Sequence, residues 1–126
     1  MNRVFDADRP IYIQLIERIK TMIASGEYGP GERIPAIREL AERTAVNPNT
    51  LQRAMAELER EGLLISQRTN GRFITEDMDA ITSLKKELAS EQIRRFLEGM
   101  NAIGIPAGDA AKLILEYEGG NINGDS

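Results

Sequence analysis

The 126-residue sequence contains no cysteine, no histidine and no tryptophan. Without cysteine the chain has no disulfide, no thiolate nucleophile and no cysteine-ligated zinc or iron–sulfur site. Without histidine it lacks the commonest metal ligand and the only side chain whose unperturbed pKa lies near neutrality. We therefore expect no metal and no cofactor, and an enzyme would have to work with carboxylates, lysine, serine, threonine or tyrosine alone.

Long apolar runs and phosphate-binding loops are also missing. A membrane-spanning helix needs roughly 20 mostly apolar residues, and runs such as 63–65 are cut short by polar neighbours. Residues 1–6 lack the apolar core of a signal peptide. The turn at Gly29-Pro30-Gly31 has neither the lysine nor the following helix of a P-loop. The sequence thus favours a cytoplasmic protein that has no membrane partner and is not an enzyme.

The first half of the chain reads as three helices. Pro10 suits a helix start, and Gly26 ends a run of apolar residues at helical spacing. Pro35 begins a short second helix, whose inner face carries Ile37, Leu40 and Ala41. Asn47 is a good N-cap and Pro48 a good first residue for a third helix that continues to Gly62. Two helices joined by a short turn form a helix-turn-helix.

A hairpin follows the third helix. Residues 63–67 and 72–75 have strand composition, and the Asn70-Gly71 pair between them is a strong hairpin signal. Because an isolated two-stranded hairpin is marginal in water, it must pack on the helices. The predicted fold class is mainly α with a small β-hairpin, with a winged helix-turn-helix at residues 1–77.

The remaining sequence predicts two amphipathic helices, at about 78–100 and after the breakers Gly104 and Pro106, and a disordered tail at 119–126. Their apolar stripes need cover, and we interpret residues 78–118 as a dimerisation arm covered by a second copy. The alternative is that they fold back on the helix-turn-helix as extra core. The predicted dimer interface consists of Ile81, Leu84, Leu88, Phe96, Leu97, Met100, Leu113, Ile114 and Tyr117.

The outer face of the third helix suggests contact with DNA. At about 100° per residue, Asn49, Gln52 and Arg53 lie opposite the apolar Leu51. Asparagine and glutamine can bind adenine through N6 and N7, and arginine can bind guanine. Helix-turn-helix proteins read bases with the N-terminal residues of their second helix. The simpler interpretation is a solvated polar face, which any surface helix has.

The hairpin tip adds a second candidate contact. Arg68 and Arg72 flank Thr69-Asn70-Gly71, so two cations would stand on a narrow loop, and arginine is favoured in a narrow minor groove. Arg38 and Thr50 are placed to meet phosphates. The formal net charge of −4 argues against a nucleic-acid partner. However, exposed charges are screened beyond about 8–10 Å, so the local charge of the contact face matters more.

The ordered motifs together resemble the GntR family of bacterial transcription regulators. They are Pro35-Ala36-Ile37-Arg38-Glu39-Leu40-Ala41, Val46-Asn47-Pro48-Asn49-Thr50, Leu58-Glu59-Arg60-Glu61-Gly62-Leu63-Leu64 and Gly71-Arg72-Phe73-Ile74. The segment Pro10-Ile11-Tyr12-Ile13-Gln14-Leu15 and the short C-terminal part are similar to the YtrA-like branch. The resemblance covers about 70 residues closely. It implies a winged-helix homodimer that represses an operon, often one for an ABC transporter.

By position, the family's DNA contacts fall on Arg38, Asn47, Asn49, Thr50, Gln52, Thr69, Asn70 and Gly71. Two departures matter: Ala36 stands where many members have serine, and Pro48 where other branches have arginine. The resemblance leaves open whether a small-molecule effector exists.

The leading hypothesis is therefore a dimeric, sequence-specific transcription regulator acting as a repressor on a pseudo-palindromic operator. The alternative is a winged-helix module that binds another protein and has no affinity for DNA.

Overall fold

The structure is a computed structural model that describes residues 5–120, with side chains to residue 117. Along the chain it has helices α1 (Ile11–Ser25), α2 (Ile37–Thr44) and α3 (Pro48–Arg60), strands β1 (Leu64–Gln67) and β2 (Gly71–Ile74), and helices α4 (Met78–Ala102) and α5 (Ala107–Gly120). This order confirms the predicted fold class, a mainly helical chain with one hairpin.

The predicted ends of the first helix agree with the structure, and the predicted start of the second helix does not. Helix α1 begins directly after Pro10 and ends at Gly26, whose φ of 85° is a left-handed conformation that favours glycine. Helix α2 begins at Ile37, two residues later than predicted. The reason is that the N–H of Ile34 donates to the carbonyl of Arg72 (3.0 Å), which keeps the chain extended up to Pro35.

Helices α2 and α3 form the helix-turn-helix. Ala45 ends α2 in the left-handed conformation, with φ 58°, which turns the chain sharply towards α3. Asn47 caps α3 as predicted, because its Oδ1 accepts a hydrogen bond from the N–H of Asn49 at 2.7 Å. Pro48 is the first helical residue.

The core of this region lies where α1, α2 and β1 meet α3. Helix α3 packs against α1, α2 and β1, and its inner residues are almost fully enclosed. The largest fully buried side chains of the core are Leu15, Ile19, Leu51, Met55, Leu58, Leu64 and Ile74. Burying side chains of this size contributes about 1.5–3 kcal/mol each, so the inner side of α3 is held firmly by three neighbouring elements.

The hairpin is built differently from the prediction. Strands β1 and β2 pair antiparallel, with Gln67 opposite Gly71, so the loop has three residues, Arg68–Asn70, in a 3-10 turn. Gly71 belongs to β2 and has a φ of 104°. The hairpin is also supported on its other side, where Arg33 forms an antiparallel bridge with Phe73. This third extended segment was not predicted, because it has only a few residues between two breakers.

The chain forms two compact units that divide inside α4, between Lys86 and Glu87. The predicted ranges 1–77 and 78–118 remain predictions of domain organisation. Asp77 caps α4, since its Oδ1 accepts from the N–H groups of Asp79 and Ala80. Helix α5 continues to Gly120, two residues into the predicted tail, and residues 121–126 lie outside the described residues.

Within the part of the chain that the structure describes, no helix is long and apolar enough to span a membrane.

Candidate nucleic-acid interface

The outer surface of α3 presents the polar residues that the sequence predicted. Asn49, Gln52 and Arg53 are exposed, and we call these three residues the reading face. On the other side of the helix, Leu51 and Ala54 are completely buried. Because α3 is packed on one side and free on the other, the reading face is a rigid ridge from which short amide side chains project.

Asn47 and Arg38 lie at the N-terminal end of this ridge. Both line an open groove between α2 and the start of α3, together with Glu42 and Pro48. The Oδ1 of Asn47 is engaged in the helix cap, which leaves its NH₂ group as the donor for a ligand. Arg38 is exposed. A helix N-terminus favours anions through its free N–H groups and its dipole, so this end of α3 suits a phosphate.

Arg53 has a partner that the sequence analysis missed. Its guanidinium carbon lies 3.7 Å from the centroid of the Tyr12 ring on α1. Such a cation–π contact is worth about 0.5–1 kcal/mol at an exposed site. The ring therefore restricts Arg53 to one edge of the reading face. Thr50, by contrast, is half-buried and lines a shallow depression together with Phe5 and Ile11.

The wing tip, which we define as residues Arg68 to Gly71, is the second part of the candidate interface. Arg68, Thr69 and Asn70 are exposed and Gly71 is half-buried. Arg68 adopts a positive φ of 31° at the start of the turn, a conformation that non-glycine residues rarely take. The tip is thus a narrow projection with one arginine at its first position.

The prediction that Arg72 is a second free cation on this loop needs correction. Arg72 lies in β2, and its Nε is 3.2 Å from Oε1 of Glu59 on α3, with only 19% of its side chain exposed. The other carboxylate oxygen of Glu59 accepts a hydrogen bond from Ser66. Arg72 points inward because side chains alternate along a strand, and it joins the hairpin to α3.

The acidic residues late in α3 are all paired. Glu57 bonds to Arg60, Glu59 to Arg72, and Glu61 to Lys20 on α1 at 2.8 Å. The hydrogen bond from Arg60 lowers the pKa of Glu57 to about 2. Arg33, Arg38, Arg53 and Arg68 make no ion pair with any residue in the described range. These four unpaired arginines lie in or beside the reading face, the groove at the start of α3 and the wing tip.

Sequence reasoning missed two further residues of this region. Arg33 reaches the wing tip, since its Nε donates to the carbonyl oxygen of Asn70 at 2.8 Å. Gln14 is buried on α1 and holds the preceding segment. Its side chain exchanges two hydrogen bonds with the backbone of Asp6 and donates a third to the backbone carbonyl of Arg9. No local pattern predicts the Arg33 contact, because its partner is 37 positions away.

No group of three or more metal-ligating acidic side chains occurs among the residues the structure describes.

The predicted dimer-interface residues fall into two sets. Ile81 and Leu84 are only 4% and 3% exposed in the single chain, so they are already buried and cannot form much of an interface with a second copy. At about 100° per residue, their stripe lies roughly 130° around α4 from the one formed by residues 93–100. The others are exposed or half-buried: Leu88, Phe96, Leu97, Met100, Leu113, Ile114 and Tyr117.

Known families and structures agree with this architecture. The family model described as "Bacterial regulatory proteins, gntR family" matches residues 11–74, which is the whole span from α1 to β2. The chain belongs to the GntR family. Its helix-turn-helix and wing are therefore the DNA-binding fold of a bacterial transcription regulator.

Two relatives from Bacillus subtilis (strain 168) match most of this GntR chain. The uncharacterised HTH-type transcriptional regulator YhcF is 35% identical over 121 residues, covering 95% of this chain and 100% of that protein. The HTH-type transcriptional repressor YtrA is 36% identical over 99 residues, covering 76% and 75%. The match to YtrA supports the predicted YtrA-like branch.

Solved structures extend the similarity to three dimensions. A GntR family transcriptional regulator from Listeria monocytogenes superposes with a TM-score of 0.81 at 35% identity, over 89% of this chain and 98% of that one. The DNA-binding domain of AraR in complex with operator ORX1 superposes with a TM-score of 0.52 at 29% identity, over 60% and 90%.

Proposed function

We propose that this chain is a sequence-specific transcriptional repressor that binds a pseudo-palindromic operator as a homodimer. The observation that carries the proposal is the reading face, in which Asn49 and Gln52 project from a buried and rigid helix. Both amides can make paired hydrogen bonds to adenine in the major groove. Arg38 beside them and Arg68 at the wing tip supply cations for the DNA backbone.

Each part of the interface has a separate role in this proposal. Gln52 and Asn49 read base edges, Arg38 and the start of α3 bind phosphate, and the wing tip enters the neighbouring minor groove. Base contacts determine sequence preference, whereas phosphate contacts fix position and contribute affinity for any duplex. Among the described residues, Glu57, Glu59 and Glu61 are all paired, whereas Glu42 lines the groove beside Arg38 without an ion pair. We therefore expect only weak affinity for unrelated DNA.

The second compact unit supports the homodimer. Phe96 on α4 and Leu113, Ile114 and Tyr117 on α5 expose large apolar surfaces. Apolar faces of this kind are typical of protein–protein contact. In a two-fold dimer the two reading faces would enter successive major grooves about 34–36 Å apart, which is why the operator should be a pseudo-palindrome.

Repression follows from occupying a promoter and needs no chemistry. YtrA is described as a transcriptional repressor, and the DNA-binding domain of AraR, which superposes on 60% of this chain, is seen bound to an operator. The resemblance to the YtrA-like branch favours an operon for an ABC transporter as the target. A cytoplasmic location fits this role.

The proposal is tested with the protein's own upstream DNA and an unrelated duplex of equal length, over a range of salt concentrations. Gln52→Ala should lose roughly 10-fold or more in affinity for the operator and little for the unrelated duplex, because one paired base contact is worth about 1–3 kcal/mol. Arg38→Ala should weaken binding to both equally. Equal wild-type affinity for both duplexes refutes a sequence-specific regulator, and no affinity for either favours the protein-interaction module.

A further inference from the structure

The segment between α1 and α2 runs alongside the wing. The N–H of Ile34 donates to the carbonyl of Arg72 at 3.0 Å, and the N–H of Ile74 donates to the carbonyl of Glu32 at 2.8 Å. Arg33 lies between these two bonds and is bridged to Phe73. Its backbone is therefore fixed beside β2, and its side chain starts from a defined position.

From that position the Arg33 side chain reaches the wing tip. Its Nε donates to the carbonyl oxygen of Asn70 at 2.8 Å. The guanidinium also lies against the backbone of Gly71, since a Cβ at Gly71 would be 2.9 Å from Nε and 3.2 Å from Nη2. Glycine at position 71 thus leaves the space that the guanidinium fills.

Arg33 is exposed and has hydrogen-bonding capacity to spare. Only its Nε is engaged, and in residues 5–117 its two Nη nitrogens donate to no other group and it forms no ion pair. Arg72, which flanks the tip in the sequence, is by contrast half-buried and paired with Glu59. The second cation beside the wing tip that forms no ion pair is therefore Arg33.

We propose that Arg33 is a DNA-binding residue of the wing, which fixes the tip through the Asn70 carbonyl and donates from its Nη atoms to a backbone phosphate. This inference rests on the proposed function, because it adds a contact to the same interface. Arginine suits both tasks at once, since its planar guanidinium offers five N–H donors in a fixed arrangement. One edge can hold a carbonyl while another binds phosphate oxygens.

The experiment compares Arg33→Ala and Arg33→Lys with wild type in the full chain. The control is Arg43→Ala, which removes an exposed arginine that is paired with Glu39 on α2 and lies outside the candidate interface. Affinities for the operator and for an unrelated duplex are measured at several salt concentrations. The slope of log affinity against log salt counts the phosphates that are neutralised, at about 0.9 per phosphate.

Arg33→Ala should lower affinity for both duplexes by roughly 10-fold and reduce the slope by about 0.9. Arg33→Lys should keep the wild-type slope and bind with intermediate affinity, because it retains the charge and loses the planar fork. Arg43→Ala should match wild type in both quantities. An Arg33→Ala variant with the wild-type slope overturns the proposal.

Hydrogen exchange without DNA tests the contact to Asn70 separately. In Arg33→Ala the amides of Asn70 and Gly71 should exchange several-fold faster than in wild type, with a similar Tm, whereas unchanged rates overturn the inference. If the wild-type chain binds the unrelated duplex as tightly as the operator, the specific repressor is refuted. The Arg33 comparison on the unrelated duplex still decides the phosphate contact in that case.

Discussion

The two compact units differ in how completely they cover their apolar side chains. In the first unit, residues such as Leu15, Leu51 and Leu58 are completely enclosed. In the described part of the second unit, Ala110 is the only buried hydrophobic residue, while Ile103, Leu115 and Tyr117 are largely exposed. The first unit is thus complete as a folded body within one chain. The second lacks a core of its own, which is the physical reason to expect a second copy against it.

The units also differ in charge. Residues 1–86 carry thirteen basic and thirteen acidic side chains, whereas residues 87–126 carry three and seven. The net charge of −4 therefore belongs entirely to the second unit. The comparison shows that a whole-chain charge can conceal a neutral region with an arginine-rich surface, since exposed charges act mainly within about 10 Å.

The sharpest test of the difference in burial is a matched pair of leucines. Leu58→Ala in α3 should lower the free energy of unfolding by about 2–5 kcal/mol, because it leaves a cavity in a closed core. Leu115→Ala in α5 removes the same atoms from a residue that is 69% exposed. It should change the free energy of unfolding by less than about 0.5 kcal/mol. Urea denaturation at one protein concentration measures both. Equal losses would mean that the second unit has a closed core after all.

A second pair tests what covers the second unit. At about 100° per residue, Ile114 lies in the α5 stripe with Leu113 and Tyr117, and Leu115 lies on the opposite side. Ile114→Glu should produce monomers and lower operator affinity by about 100-fold, since two linked half-site contacts become one. Leu115→Glu should remain dimeric and bind normally.

Analytical ultracentrifugation and operator titration measure both outcomes. A wild-type chain that sediments as a monomer at micromolar concentration would contradict the dimer altogether.

A smaller effect is expected within the first unit, where Tyr12 supports Arg53. Tyr12→Leu removes the ring and should lower operator affinity by about two- to fivefold, which corresponds to 0.5–1 kcal/mol for an exposed cation–π contact. Tyr12→Phe keeps the ring and should bind like wild type. Fluorescence anisotropy with labelled operator measures these differences. Equal affinity of all three proteins would show that Arg53 needs no such support.

The smallest effect concerns surface charge pairs in the second unit. Hydrogen bonds from Arg94 lower the pKa of Glu91 to about 2. Because the folded pKa lies below the ordinary value near 4.5, any stability from this pair is present above pH 4.5 and is lost as the pH falls towards 2. An NMR titration of the Glu91 carboxyl should give a midpoint near 2.

In Arg94→Gln that midpoint should rise, while the Tm at pH 7 stays nearly constant because exposed pairs contribute little. An unchanged midpoint would show that Arg94 does not hold Glu91.

Most of the first unit could be predicted because its signals are local. Gly26, Asn47-Pro48 and Gly62 mark helix ends through backbone conformation and capping, and the reading face follows from helical spacing around Leu51. These features depend on residues within a few positions of each other. The agreement between predicted and observed α1 and α3 reflects this.

The errors at Arg72 and Arg33 arose from contacts between distant parts of the chain. Arg72 pairs with Glu59 on α3 and not with a group at the wing tip. Arg33, which lies in the segment between α1 and α2, contacts the wing tip through the carbonyl of Asn70. In α4 the prediction grouped Ile81 and Leu84 with Phe96, although helical spacing places them on different sides of the helix, and only Ile81 and Leu84 are buried. Local patterns carry no information about which of several charged or apolar side chains will find a distant partner.

The hydrogen bonds between residues 32–34 and β2 have one more consequence. They join the wing to the segment that leads into α2. The hairpin and the helix-turn-helix therefore move together, and the distance between the wing and α3 is fixed. If the wing tip enters the minor groove as proposed, the width of that groove, which varies with base composition, must match the fixed distance between the wing and α3. Some operator positions should consequently be discriminated by how readily they narrow or widen, although no side chain reaches them.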